Sequence, residues 1–488
     1  MDKKNSSLTK NSIFYMLYNV LNVIFPFITG IYISHILLPE TIGLVESARN
    51  LAQYFVILSF LGIPTYGLKI ISQNRNDKKR LNQSYTELMV INFISTVVFS
   101  IIFLIVVLSI NKYRINANLF FVVGISIFLN IFNNSWLFEG LEEFKYISIR
   151  NLIFKILSFI LLIVVVRKSD DYLQYALVTV IGTAGNYLLN IFYAKRYVTF
   201  KINREINIKQ HLKSIFYLVL VNLAIEIYTL VDITMLDWLG KKENIAYYSY
   251  GSKIFKILIQ IINTFTIVLV PRIALYYKEK KYDEFNDTIT KTLKTIIILA
   301  IPLIIGVFFT SDYLLTAIYG SEYIYSAQVL KILSLILTIS PIGYLLGSRI
   351  MLVTDNEKKM IIPVVCGAIT NIICNYFFIQ KFQEIGAAIA SVISEIVVMI
   401  IYIYLGKRYF KLENISNLLI KELVAIILMI VYLYLLKNIN IDLLYITILQ
   451  IIGAVVIYFG TLIITKEEIT WNFLNKGLMM LKKRRSNG

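Results

Sequence analysis

Long apolar runs recur from one end of this 488-residue sequence to the other. Each is at least about as long as the 17–25 residues that a helix needs to cross ~30 Å of membrane hydrocarbon. Only 16% of the residues are charged, whereas soluble domains carry roughly 25%. A membrane β-barrel would instead show alternating segments of about ten residues. The sequence therefore predicts an all-α polytopic membrane protein.

Charged and turn residues divide the apolar runs into fourteen predicted spans. These spans lie near 11–34, 43–67, 84–109, 117–138, 148–166, 172–194, 213–236, 246–271, 289–310, 327–348, 360–379, 386–406, 418–436 and 442–464. An even number places both termini on the same side of the membrane. No small-residue cleavage site accompanies the first run, so we expect it to stay as a span.

The basic residues indicate the orientation. With a cytoplasmic N-terminus, the cytoplasmic segments and their span ends hold 35 lysines and arginines, and the outside loops hold 8. This asymmetry is what the positive-inside rule predicts for short loops. We therefore expect a membrane protein with both termini cytoplasmic. The net charge of +18 then reflects loops that face anionic membrane lipids, and no nucleic acid partner is expected.

A weak internal repeat divides the spans into two sets. SIFYMLYN at 12–19 opens span 1, and SIFYLVLVN at 214–222 opens span 7. Two parallel six-helix halves with a substrate path between them are a known transporter architecture. We expect an N-lobe at 1–210, a pseudo-symmetric C-lobe at 211–412 around a central cavity, and two additional C-terminal helices with a basic tail at 413–488.

Span 2 opens with polar residues where charge is costly. In LVESARNLAQYFVI, Glu46, Arg49, Asn50 and Gln53 share one helical face, and Arg49 lies about six residues into the span. One interpretation is that this face lines the path between the halves, with Arg49 and Gln53 binding substrate. The alternative is that Glu46 and Arg49 neutralise each other near the interface.

Span 8 carries cations at the corresponding place of the second half. Lys253, Lys256 and Gln260 form a stripe at i, i+3 and i+7, which predicts a second substrate-binding face. The alternative is that Lys253 pairs with Glu226 or Asp232 on span 7.

Other polar residues lie within spans 1, 7 and 12. Asn19 and Asn222 occupy equivalent repeat positions and are candidate substrate-binding residues. Glu395, Asp232 and Glu226 are candidate ion-coupling residues, because intramembrane carboxylates often bind a proton or Na⁺. For Glu395, a helix-packing hydrogen bond is an equal alternative.

No catalytic, metal or cofactor site is expected. Cys366 and Cys374 lie two helical turns apart, about 12 Å along the axis, which is too far for a disulfide. Two histidines provide no metal cluster, and the sequence contains no P-loop. We therefore expect a protein that is not an enzyme.

Four motifs resemble a known family. They are WLFEGLEEFKYISIRN at 136–151, VDITMLDWLGKKENIAYYSYGSKIFK at 231–256, IYGSEYIYSAQVLKIL at 318–333 and IGAAIASVISE at 385–395. Together with the span pattern they resemble the polysaccharide flippases of the multidrug/oligosaccharidyl-lipid/polysaccharide exporter superfamily. The resemblance covers nearly the whole chain. Family cavity cations correspond to Arg49, Lys253 and Lys256, although lysine stands where relatives often have arginine.

The resemblance implies a function. A flippase of this family moves undecaprenyl-pyrophosphate-linked oligosaccharide units from the cytoplasmic to the outer leaflet by alternating access, for capsule, O-antigen or exopolysaccharide synthesis. A polysaccharide polymerase and a chain-length regulator are the implied protein partners. A lipid II flippase or a drug/cation antiporter of the same superfamily is the alternative. A membrane-embedded polymerase or ligase would need longer external loops.

Overall fold

A computed structural model describes residues 22, 24–202, 206–267, 269–412, 416–437, 439, 441–475 and 479, with backbone only at 217, 218, 220–225, 227, 267, 416 and 417. The described residues form helices and connecting segments, with no strand among them. The prediction of an all-α protein is confirmed.

Residues 468–475 are helical, and twenty further α-helices build the described part of the chain. They are α1 (Ile24–Ser34), α2 (Pro39–Phe60), α3 (Ile63–Asn74), α4 (Lys78–Ser109), α5 (Asn111–Arg114), α6 (Ala117–Leu129), α7 (Ser135–Gly140), α8 (Phe144–Val165), α9 (Tyr172–Thr183), α10 (Leu188–Ala194), α11 (Lys209–Leu239), α12 (Lys242–Ile267), α13 (Val270–Lys278), α14 (Tyr282–Tyr319), α15 (Tyr325–Ser334), α16 (Ile336–Gly343), α17 (Ile350–Val353), α18 (Ile361–Gly406), α19 (Ser416–Leu436) and α20 (Leu443–Ile464).

Shorter helical turns join some of these helices. The 3₁₀ turns are Asn130–Phe132, Gly185–Tyr187, Ser321–Tyr323 and Glu357–Met360, and Tyr344–Arg349 forms a π-helical segment. Some helix ends are determined by the residues located there. The Asp77 carboxylate caps α4 by accepting from Lys79 N and Arg80 N, and Leu61 and Gly62 take left-handed conformations that separate α2 from α3.

Eleven helical stretches in the described residues are long and apolar enough to cross a membrane. Ten of them each correspond to one predicted span, to within one residue at the ends of 148–166 and 442–464. The remaining stretch, Glu357–Gly406, contains predicted spans 11 and 12 and changes direction at Gln383, where φ is 51° and ψ is −126°. Helices α1 and α11 lie where spans 1 and 7 are predicted. The chain is a multi-pass membrane protein, and the total of fourteen spans stays a prediction.

The first compact unit comprises Met1–Ala246. Within it, α2 packs against α4, α6 and α11, and α3 packs against α4 and α7. Its buried core includes Ile63, Leu88, Trp136, Leu137 and Phe138. Helix α11, the first helix of the predicted second repeat, therefore packs within this unit. The lobe assignment at 1–210, 211–412 and 413–488 stays a prediction.

The second compact unit comprises Tyr247–Gly488. Here α14 packs against α15, α16, α19 and α20, while α18 packs against α15, α16 and the π-helical segment. Its core includes Phe285, Ile296, Leu337, Met429 and Tyr458. The C-terminal helices α19 and α20 thus pack on α14 through apolar side chains.

Candidate functional site

Arg49 and Gln53 line a cavity in the first unit. Its volume is about 550 Å³, counting the space open at its mouth. Ser126 on α6 and Thr179 and Thr183 on α9 contribute hydroxyl groups to its lining. The other lining residues are Ala52, Val56, Val123, Val180, Ala184 and Tyr187. A guanidinium with amide and hydroxyl groups suits a polar anionic ligand, because arginine donates a fork of hydrogen bonds.

The polar residues predicted on one face of span 2 contact different groups in the structure. Arg49 Nη1 lies 3.5 Å from Glu46 Oε2, so the two charges neutralise each other as the alternative interpretation expected, although the Arg49 side chain is still 36% exposed. Asn50 points to α11, where its Nδ2 donates to Thr234 Oγ1 at 2.7 Å. Only Arg49 and Gln53 of the four polar residues line the cavity.

Lys253 in the second unit lies on an aromatic surface. Its Nζ is 4.3 Å from the centroid of the Tyr250 ring, a cation–π distance, and the side chain is half-buried. Lys256 and Gln260 are exposed on the same helix, α12. The three residues keep the helical stripe that the sequence predicted.

Three of the family-like motifs meet around Tyr250. The Tyr250 ring lies 4.5 Å from that of Tyr319 and 4.7 Å from that of Tyr323, both from the motif at 318–333. Tyr248 OH lies 3.4 Å from Ser391 Oγ in the motif at 385–395. Side chains of these three motifs therefore contact one another on the part of α12 that carries Lys253.

The predicted carboxylates differ in their surroundings. Asp232 is 6% exposed on α11, whereas Glu226 is half-buried, and its Oε2 accepts from Thr229 Oγ1 at 3.3 Å. Glu395 is half-buried on α18, close enough to interact electrostatically with Tyr344 and Tyr402.

The remaining predicted substrate-binding residues are Asn19 and Asn222. Asn19 and the side chain of Asn222 lie outside the described residues. Cys366 and Cys374 are both free, and no group of three metal-ligating side chains occurs within the described ranges.

The sequence did not single out Asp237, a buried carboxylate at the end of α11. Lys112 Nζ lies 2.7 Å from its Oδ2, Ser47 Oγ donates to its Oδ1 at 2.6 Å, and Lys242 also pairs with Oδ1. Burial raises the pKa of this carboxyl, but the two ammonium groups and the hydroxyl outweigh that effect and hold the pKa below its usual range. Lys242 is near Asp237 in sequence, but Ser47 and Lys112 lie 190 and 125 residues away, so the sequence alone does not suggest a cluster.

A second unpredicted cluster surrounds Glu87, which is 1% exposed near the start of α4. His211 Nε2 lies 2.7 Å from its Oε2, and Asn207 N and Gln210 Nε2 donate to the two oxygens at 2.7 and 2.9 Å. Tyr66 OH lies 2.9 Å from the other ring nitrogen of His211. This cluster fixes the segment that leads into α11.

Family models match both parts of the chain. The model described as polysaccharide biosynthesis protein matches residues 8–277, which is more than half of the chain. The model described as MatE matches residues 218–377.

Relatives are found over nearly the whole length. The capsular polysaccharide biosynthesis protein CapF of Staphylococcus aureus is 26% identical, over 83% of this chain and 100% of its own. A putative O-antigen transporter of Shigella dysenteriae is 20% identical, over 80% of this chain and 98% of its own. A solved structure titled lipid II flippase MurJ in an inward closed conformation superposes with a TM-score of 0.67 and 17% identity, covering 88% of this chain and 99% of that one. This last similarity shows the fold.

Proposed function

We propose a specific role for this chain, which belongs to the family of polysaccharide biosynthesis proteins and is a polysaccharide flippase of the multidrug/oligosaccharidyl-lipid/polysaccharide exporter superfamily. The role is to move undecaprenyl-pyrophosphate-linked oligosaccharide units from the cytoplasmic to the outer leaflet of the bacterial cytoplasmic membrane by alternating access. The relatives named as capsule and O-antigen proteins support this role.

The Arg49 cavity is the observation that carries the proposal. A pyrophosphate carries about two negative charges and many acceptor oxygens, and the half-exposed guanidinium of Arg49 offers charge and directed donors together. Hydroxyl and amide groups from Gln53, Ser126 and Thr183 suit the sugar hydroxyls next to it. Glu46 lies beside the guanidinium at 3.5 Å, and the Arg49 side chain keeps 36% of its surface exposed.

Lys253 supplies the second cation of the proposal. A lysine binds phosphate as a point charge, so its position matters more than its orientation. The Tyr250 ring at 4.3 Å fixes that position without neutralising the charge. Lys256 and Gln260 extend the same face and are assigned a weaker role.

Flipping by the purified protein in liposomes tests these roles, with a fluorescent lipid-linked oligosaccharide as substrate. We expect Arg49→Ala and Lys253→Ala each to slow flipping at least about tenfold, because each removes a contact to a charged group worth about 1.5–3 kcal/mol. Lys253→Arg keeps the charge and should retain most of the activity. Lys241→Ala removes an exposed lysine and serves as the matched control. Normal flipping by both alanine variants would contradict the proposed head-group site.

Lipid II shares the pyrophosphate, so the sugar must separate the two substrates. We expect an excess of lipid II to compete poorly for flipping of the oligosaccharide unit. Equal competition would favour the alternative of a lipid II flippase. Neighbouring genes for glycosyltransferases, a polymerase and a chain-length regulator would support the oligosaccharide pathway and its proposed protein partners.

Glu395 is the proposed coupling residue, with Asp232 and Glu226 as further candidates. Substitution of Glu395 by glutamine keeps its shape but fixes it neutral, so gradient-driven flipping should be lost while downhill flipping remains. An unchanged response of Glu395→Gln to an imposed pH gradient would remove the coupling role and leave helix packing as its function.

The orientation is tested by labelling single cysteines after Cys366 and Cys374 are replaced. We propose that Lys280 faces the cytoplasm and Glu322 faces outside, and both side chains are exposed. An impermeant reagent applied to intact cells should label Glu322→Cys and spare Lys280→Cys. The reverse pattern would overturn the orientation.

A further inference from the structure

The hydroxyl of Tyr458 in the second unit lies within hydrogen-bond distance of two oxygen atoms. Tyr458 OH on α20 is 3.1 Å from the backbone oxygen of Ile298 and 2.9 Å from Oε1 of Glu422 on α19. All three residues are buried: Ile298 is 3% exposed, Glu422 1% and Tyr458 0%.

The Ile298 oxygen needs this donor because of Pro302. In α14 the backbone oxygen of residue 298 would ordinarily accept from the N–H of residue 302. Proline has no N–H, so Pro302 leaves that oxygen without its helical donor. An unsatisfied carbonyl in an apolar interior is costly, and Tyr458 is the group that reaches it.

Counting protons then assigns the state of Glu422. A tyrosine hydroxyl has one proton, so if it donates to Ile298 it can only accept from Glu422. Glu422 Oε1 must then carry a proton of its own. If the single proton were shared by both oxygens, Glu422 would be a buried carboxylate whose Oε2 has no hydrogen-bond partner among the described residues. A buried carboxylate without a counter-charge costs free energy, so we infer that Tyr458 does not share its proton between the two oxygens.

Among the described residues, Glu422 forms no ion pair with a lysine, arginine or histidine. Helices α14, α19 and α20 form an apolar core that includes Ala425, Met429, Ala454 and Leu462.

Charged groups lie toward the ends of these helices. Glu467, beyond the end of α20, repels a charge on Glu422. Its own carboxylate accepts from Ile469 N at 3.0 Å and from Thr470 N at 2.7 Å. Lys421 Nζ donates to the backbone oxygen of Lys466 at 2.9 Å. Lys294 lies one helical turn before Ile298 on α14.

We propose that Glu422 is a proton-binding site that controls the hydrogen bonding of α14 at Pro302. With the proton bound, Glu422 donates to Tyr458 and Tyr458 donates to Ile298. When Glu422 releases its proton to water, the Tyr458 hydroxyl turns to the carboxylate and the Ile298 oxygen loses its donor. Proton binding at α19 thereby links the C-terminal helix pair to the missing backbone hydrogen bond of α14.

Infrared spectroscopy of the full-length protein in lipid nanodiscs tests the site, since protonated carboxyl groups have their own C=O absorption. At neutral pH we expect Glu422→Gln to lose one such absorption, and Tyr458→Phe to shift its frequency. Glu468→Gln alters an exposed carboxylate nearby and should lose nothing. Identical spectra for the wild type and Glu422→Gln would overturn the proposal.

The link between Glu422 and Pro302 has its own test. Pro302→Ala restores a backbone N–H for the Ile298 oxygen, which frees the Tyr458 hydroxyl to stabilise the Glu422 carboxylate. At the same neutral pH, this variant should therefore retain less of the protonated absorption than the wild type. An absorption equal to that of the wild type would overturn the link between Glu422 and α14. Size-exclusion profiles of all variants verify folding independently of transport.

Discussion

Lys112 and Asp237 form an ion pair of 2.7 Å across 125 residues of sequence. The carboxylate is almost fully buried, and the lysine lies on the short turn α5, with its Nζ 4.8 Å from the Trp238 ring. The pair ties the end of α11 to the connection between α4 and α6. Lys242 and Ser47 complete the cluster from α12 and α2.

Asp237→Asn should destabilise the first unit. It leaves two ammonium groups near each other without a counter-charge, which we expect to cost about 2–3 kcal/mol. The measurement is the midpoint of thermal unfolding in detergent. Lys242→Ala should also lower the midpoint, while Lys241→Ala, which removes an exposed lysine next to it, should not. Equal midpoints for Lys242→Ala and Lys241→Ala would contradict the role of the cluster.

The same cluster predicts a pH dependence. Because the pKa of Asp237 is held below its usual range, its contribution to stability is present above about pH 4. That contribution decreases as the pH falls through the lower pKa of the folded protein. The stability difference between the wild type and Asp237→Asn should therefore narrow in acid, as measured by unfolding midpoints across pH. A constant difference would be inconsistent with a charged Asp237.

Removing the carboxylate of Glu87 should release the segment that precedes α11. Glu87→Ala leaves His211, Gln210 and the Asn207 N–H without their acceptor, at a cost of about 2–4 kcal/mol. Limited proteolysis should then cut residues 199–208 faster than in the wild type. Glu142→Ala breaks the half-exposed pair with Arg75 and should leave proteolysis unchanged. Equal cutting in the two variants would remove the anchoring role.

The sequence predicted the features that depend on local pattern. Helix positions and the stripe of Lys253, Lys256 and Gln260 follow from apolar length and helical periodicity, and they agree with the structure. Partners distant in sequence did not follow, because periodicity shows the face of a residue but not the helix it meets. Asn50 is an example: its face was predicted, but its bond to Thr234 was not. Glu422 lacked any local signal, because its environment comes from Pro302 and Tyr458 on other helices.

Filling the Arg49 cavity should block flipping without unfolding the protein. Ser126 lies half-buried in the lining, so Ser126→Trp places an indole in the space assigned to the head group. Ser126→Ala removes only a hydroxyl that donates to the Val123 backbone oxygen and is the matched control. We expect strong loss of flipping for tryptophan and near-normal flipping for alanine, at equal protein levels. Normal flipping by Ser126→Trp would exclude this cavity from the substrate path.

Gly347→Ala should disrupt the packing of the π-helical segment on α18. A Cβ atom at this position would overlap the side chain of Tyr402 and force the helices apart, at a cost of about 1–3 kcal/mol. Gly460 in α20 has no heavy atom within 4 Å of the same added atom, so Gly460→Ala should be neutral or slightly stabilising. Unfolding midpoints compare the two, and a similar small change in both would show that the close approach is dispensable.

The change of direction at Gln383 limits where this protein can be engineered. Predicted spans 11 and 12 meet there through the torsion angles of one residue, without a loop between them. An affinity tag, a fluorescent reporter or a protease site inserted at this point would lengthen a rigid joint. The segment at 437–442, between α19 and α20, joins two separate helices and is the better position for such an insertion in the second unit.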